Sequence, residues 1–130
     1  ERAMEFHGAR YLHVFVPCPL GWGSASEDTI KIARLAKETG IFPVFEAEDG
    51  EVVGTSKIRK QVPVTDYLKL QKRYAHLFKD PPRTDVIDAI QARADANIRR
   101  FGLNGGYGSL PDLLHEGGQD LLADTPHGPQ

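Results

Sequence analysis

The residue with the most chemical potential is Cys18, the only cysteine of the 130-residue chain. It lies in VFVPCPLGWGS, Val14 to Ser24, held between Pro17 and Pro19 and followed by Gly21, Trp22 and Gly23. A single thiol cannot form an intrachain disulfide, which leaves three chemistries open. The first is none at all, since free cysteine packs like a small hydrophobe. The second is nucleophilic catalysis, which needs a thiolate and a base; His7 and His13 are the nearest imidazoles in sequence. The third is metal ligation. Thiolates hold iron–sulfur clusters, and a proline after the cysteine ends a regular segment and turns the chain away. Pro19 has no N–H, but those of Gly21, Trp22 and Gly23 can fold back toward the sulfur, and such hydrogen bonds raise a cluster's reduction potential. One cysteine holds no cluster alone, so three further ligands would have to come from other sequence.

The remaining polar residues suggest less. The histidines, His7, His13, His76, His115 and His127, form neither an H-x-x-x-H nor an H-E-x-x-H pair, so a protein-made zinc site is not expected. Glu46, Glu48, Asp49 and Glu51 surround a turn and suit a solvated tip. The basic run Lys57 to Lys60 either balances that charge or touches a phosphate-bearing ligand. Asn104, Gly105 and Gly106 lack the strand-to-helix context of a phosphate loop and suit a flexible linker.

The elements that must position Cys18 follow from residue pattern. Tyr11 to Val16 is β-branched and aromatic on both faces and predicts a strand covered on two sides, as in a parallel sheet. Pro17 to Ser24 then becomes a loop at the strand's C-terminal end, where open α/β sheets bind ligands. Ser24 to Glu27 fits a capping box, with Ser26 as a competing cap. The helix that follows has Ile30, Ala33, Leu35 and Ala36 at helical spacing and stops at Gly40. Two extended runs, 41–48 and 51–55, flank Asp49-Gly50, a type I′ hairpin signal, and Pro43 places the first at a sheet edge. The segment 64–78 predicts one amphipathic helix, started by Thr65 or Asp66 and stopped by Asp80-Pro81-Pro82. The segment 85–101 predicts another, whose small apolar face needs a partner surface. Beyond Gly102 the composition predicts a loose tail with a short turn at Leu110 to Leu114. The fold class is therefore α/β, with a mostly parallel sheet, a β-hairpin and flanking helices.

The length suits one domain or part of one. Sixteen basic against 18 acidic residues give a net charge of −2, which predicts neither nucleic acid nor an anionic membrane as partner. No apolar run is long enough to cross a bilayer, and a lone thiol suits a reducing, cytoplasmic setting. The opening ERAMEFHGAR has the character of a helix end, with Ala3, Met4 and Phe6 as contacts and Gly8 as the stop. The chain starts with Glu1, and a longer subunit is expected to precede it.

Three segments together, YLHVFVPCPLGWG, TIKIARLAKETGIFPVFE and PVTDYLKLQKRYAHL, resemble the C-terminal part of the thiamine-diphosphate-binding β subunit of 2-oxoacid:ferredoxin oxidoreductases. The resemblance covers about residues 6–78, and the PCP-x-GWG loop with the A-R-L-A-x-E-T-G helix is its most specific part. It implies that Cys18 is one of four cysteines holding a 4Fe–4S cluster near the thiamine cofactor. The other three, and the G-D-G…N motif for Mg²⁺ and diphosphate, would lie upstream; this chain supplies no catalytic or thiamine-binding residue that can be named. Residues 1–80 would be the end of the thiamine-diphosphate-binding α/β domain; residues 81–130 lie outside the resemblance, and the small apolar helix face there suits a helical extension and tail that docks on a neighbouring subunit. The implied activity is oxidative decarboxylation of a 2-oxoacid, pyruvate or an aryl acid such as phenylglyoxylate, to an acyl-coenzyme A. Electrons would pass through clusters to ferredoxin or a similar acceptor, with other subunits of the complex as partners. The chain departs from the family at Leu20, where threonine is common. The rival reading is a non-catalytic α/β interaction module with a structural cysteine.

Overall fold

The computed structural model describes residues 2–104. The expected turn at Leu110 to Leu114 lies outside them. A 3-10 turn, Arg2–Met4, opens the described chain, where the sequence predicts the end of a longer helix. Next is a single helical turn, α1 (Pro19–Trp22), then a 3-10 turn (Ser26–Asp28) leading into α2 (Thr29–Glu38). An antiparallel hairpin, β1 (Phe45–Glu48) and β2 (Glu51–Thr55), is followed by α3 (Val64–Leu68), a 3-10 stretch (Lys72–Phe78) and α4 (Thr84–Arg100).

The core is built where three apolar stripes meet. On α2, Ile32, Leu35 and Ala36 repeat at helical spacing and are buried against Val64, Tyr67 and Leu68 of α3 and Ala94 of α4. Ile30, expected on that stripe, is instead 70% exposed, because it falls off the face that Ile32 and Leu35 define. On α4, Ile87, Ile90, Ala94 and Ile98 form a second stripe. The partner surface that this helix needs is thus largely α2 and α3. Ile98 also joins Ile58, Leu103 and the ring of Phe101 in a smaller cluster. There Ile58 N–H donates to the Leu103 carbonyl at 2.7 Å, and the Lys57 ammonium donates to the Gly102 carbonyl. Lys57 therefore satisfies backbone at the end of α4.

The hairpin forms where Asp49-Gly50 predicts it. Both residues have positive φ, 51° and 89°, as a type I′ turn requires. A bulge between Glu46 and Ala47 shifts the register, and Phe45 stacks on Phe101 at 4.6 Å. Pro43 precedes the paired residues, which begin only at Phe45.

Three further expectations are not met among the described residues. Tyr11 to Val16 is not a strand, and the hairpin is the only multi-residue sheet among the described residues. A parallel strand needs partners distant in sequence, and the described residues offer none, so Tyr11, Leu12, Val14 and Val16 stand 69 to 87% exposed. The capping box does not form either. Asp28 precedes α2 without a side-chain cap, Thr29 Oγ1 bonds the Ser26 carbonyl at 2.7 Å, and the Ser24 hydroxyl is buried without a protein partner.

The third failure is the helix predicted over 64–78, which is broken after Leu68. The burial periodicity continues through Gln71, Tyr74 and Leu77, but Gln71 is extended, at φ −126° and ψ 118°. Neither Thr65 nor Asp66 caps α3; its first N–H, that of Val64, is met by Gln91 Oε1 from α4 at 2.9 Å.

Tyr67 couples this packing to pH. Burial raises its phenol above the ordinary 10.0, opposed by Gln71 and Arg73. The fold prefers the neutral phenol, so its contribution is intact below the unfolded value and is lost as pH rises through the folded one. Urea midpoints measured between about pH 8 and 11 should fall toward the alkaline end, and Tyr67→Phe should flatten that fall. An equally steep fall in the variant would remove Tyr67 as the cause.

Candidate functional site

Cys18 is exposed and serves as the N-cap of α1, with extended backbone at φ −110° and ψ 102°. Among the described residues nothing packs over the thiol, as the rival reading of a structural cysteine would need. Its Sγ accepts a hydrogen bond from Gly21 N–H at 3.4 Å. Of the three N–H groups expected to turn toward the sulfur, this one does. Those of Trp22 and Gly23 close the turn instead, onto the carbonyls of Cys18 and Pro19 respectively. A Cβ on Gly21 would lie 3.3 Å from Sγ, so glycine there lets the backbone close on the sulfur.

Among the described residues no histidine hydrogen-bonds the thiol. His13 instead meets Phe42 edge-on at 5.1 Å and Tyr11 at 6.3 Å, so the described residues place no general base at the thiol. His7 and His76 are exposed, and His115 and His127 lie outside the described residues. No group of three or more His, Cys, Asp or Glu gathers around a common point among the described residues. Cys18 thus fits a cluster as one ligand of a set: the thiol is accessible, a backbone N–H is directed at it, and the turn behind it is closed by backbone hydrogen bonds. It fronts an open hollow of roughly 710 Å³ lined also by Leu20, Ser24, Ser26 and Lys72.

The loop is held from behind by residues that pattern reading did not single out. Phe15 packs on Trp22 at 5.6 Å and on Phe42 at 4.9 Å, which ties the extended segment to the loop after α2. Arg73 lies over the Trp22 ring at 3.9 Å. Lys72 N–H donates to the Gly23 carbonyl at 3.3 Å, and the Lys72 stem packs where a Gly23 side chain would be. The one available signal was Trp22 itself, the chain's only tryptophan, flanked by two glycines.

No protein-family model matches the chain. It is 43% identical over 103 residues to pyruvate synthase subunit PorB of Methanosarcina barkeri, a match covering 79% of this chain and 35% of that protein. The corresponding subunit of Methanocaldococcus jannaschii is 44% identical over 103 residues, covering 79% and 33%. Ketoisovalerate oxidoreductase subunit VorB of Pyrococcus abyssi is 37% identical over 82 residues, covering 62% and 26%. The chain therefore spans about a third of the length of the first of these relatives, and about a quarter of the last. By these similarities it belongs to the family of 2-oxoacid:ferredoxin oxidoreductase β subunits.

Proposed function

We propose that this chain is the C-terminal part of a thiamine-dependent 2-oxoacid oxidoreductase β subunit, and that Cys18 is one of the four thiolates of a 4Fe–4S cluster. The observation that carries this reading is the lone cysteine exposed at the head of a closed turn, with a backbone N–H on its sulfur, in a chain of this family. Bound thiamine diphosphate with Mg²⁺ supplies an electron sink for decarboxylation, and the cluster a one-electron acceptor. The chain's own contribution is to fix one ligand. Cys18 presents its sulfur outward, Gly21 N–H stabilises negative charge on it, and Trp22 and Gly23 hold the turn.

The relatives named for pyruvate and ketoisovalerate favour an aliphatic 2-oxoacid over phenylglyoxylate as substrate. Coenzyme A as acyl acceptor and ferredoxin as electron acceptor complete the reading. In the complete subunit, Tyr11 to Val16 would pair as a strand of a parallel sheet, which would cover the apolar side chains now exposed. Residues 1–80 would close that domain, and the groove that Ile41, Val86, Ile90 and Arg93 line on α4 would face a neighbouring subunit. No helix among the described residues is long and apolar enough to cross a membrane.

The test is Cys18→Ala in the complete complex. Iron and acid-labile sulfide should drop by one cluster per β subunit, with the matching loss of electron paramagnetic resonance signal. Gel filtration of the same sample tells loss of the cluster from loss of the subunit. Full occupancy in the variant would reject Cys18 as a ligand.

A further inference from the structure

The break in the segment 64–78 serves the Cys18 loop. In a continuous helix the Lys72 N–H would bond the Leu68 carbonyl, four residues back. Extension at Gln71 frees it, and it donates instead to Gly23 of the cysteine loop. The same break sets Arg73 against Trp22. Its guanidinium is held in a fixed plane: Nε donates to Gln71 Oε1 at 2.8 Å, and Nη2 donates to the Tyr67 hydroxyl at 3.2 Å. Gln71 is itself buried and anchored, its Nε2 donating to the Tyr67 carbonyl at 2.8 Å. One face of the guanidinium is 3.9 Å from the centre of the Trp22 ring, and the Tyr74 ring lies 4.7 Å away. Consecutive residues thus grip consecutive residues, Lys72 on Gly23 and Arg73 on Trp22, directly behind the turn that Cys18 caps.

We propose that Arg73 is a positioning residue for the Cys18 thiolate, acting through Trp22 and held in plane by Gln71 and Tyr67. The proposal rests on the reading of Cys18 as a cluster ligand. Lysine cannot substitute, because an ammonium has neither the planar face for the indole nor the fork for two acceptors. With the clamp gone, the turn opens more often, and the Gly21 N–H that stabilises charge on the sulfur is held less of the time. The reduced cluster should suffer most, so its reduction potential should fall.

The experiment compares Arg73→Ala and Arg73→Lys with the parent in the complete complex. Amide hydrogen exchange is followed by mass spectrometry in iron-depleted and iron-loaded protein. Both variants should exchange the amides of Trp22 and Ser24 about tenfold faster, while α2 keeps its protection. Iron release to a chelator should be faster, and a redox titration should show a lowered potential. Unchanged exchange in the loop would overturn the clamp. Equal acceleration in α2 would reduce Arg73 to a general stabiliser, as would a faster loop with an unmoved potential. Full rescue by lysine would replace the planar clamp with charge alone. If the parent holds no cluster on Cys18, the ligand reading fails, while the exchange of iron-depleted protein still decides whether Arg73 fixes the loop.

Discussion

Gly40→Ala is expected to destabilise the chain by about 3 kcal/mol, as the sum of a backbone cost and a steric one. Gly40 follows α2 with φ +81°, a conformation that costs a residue with a Cβ roughly 1 kcal/mol or more. An added Cβ would sit 2.6 Å from Ile98 Cγ1 and 2.8 Å from both Ile98 Cδ1 and the Ala94 carbonyl oxygen. The isoleucine can rearrange, but the carbonyl belongs to the backbone of α4. Relief therefore means moving α4 away from α2 and out of the shared core. Asn97 ties the same point, donating from Nδ2 to the Gly40 carbonyl at 3.0 Å. Urea unfolding should show the loss directly. In an Ile98→Ala background the same substitution should cost less, since part of the clash is gone, and it should still cost something, since the carbonyl and the positive φ remain. An unchanged unfolding midpoint for Gly40→Ala would mean that α2 and α4 do not approach this closely.

Gly23→Ala is expected to displace the cysteine loop at a cost of roughly 2 kcal/mol, again through φ and contact together. At φ +64°, a Cβ on Gly23 would lie 2.8 Å from Lys72 Cβ and 3.3 Å from its Cγ and Cδ. Lys72 Cβ sits at the root of its side chain and cannot swing aside as the ammonium end could. The loop must therefore lift from the 3-10 stretch, taking Trp22 off Arg73. Because Trp22 is the only tryptophan of the chain, its fluorescence reports this movement without a label. A changed emission from Trp22 and, in the complete complex, weaker iron retention are the expected results. A variant with the parent's emission and iron content would show that the loop tolerates a side chain at this position.

What could be read from sequence divides by the range of the forces involved. The hairpin and the long helix α4 follow from local signals: the type I′ requirement of Asp49-Gly50, and apolar residues recurring at helical spacing. The paired state of Tyr11 to Val16 depends on strands elsewhere, so its composition states a preference that nothing among the described residues fulfils. The break at Gln71 was hidden because the burial stripe runs through it undisturbed. A buried glutamine at the expected core position looks like a minor irregularity, yet its backbone leaves the helix there. Cys18 was legible as a candidate from its type, its prolines and its solitude. Arg73 was not, since a cation over a ring far away in sequence leaves no spacing pattern.

The strap formed by Gln71, Lys72 and Arg73 also constrains how such a chain can change length. Extra residues at Gly50 would project into open space, where an added Cβ meets nothing within 4 Å. One extra residue between Leu68 and Lys72 would be far more disruptive. It would shift the strap by one position, leaving either Gly23 or Trp22 without its counterpart. An insertion at the Gly50 turn should therefore leave the Cys18 loop in place, whereas one before Lys72 should release it.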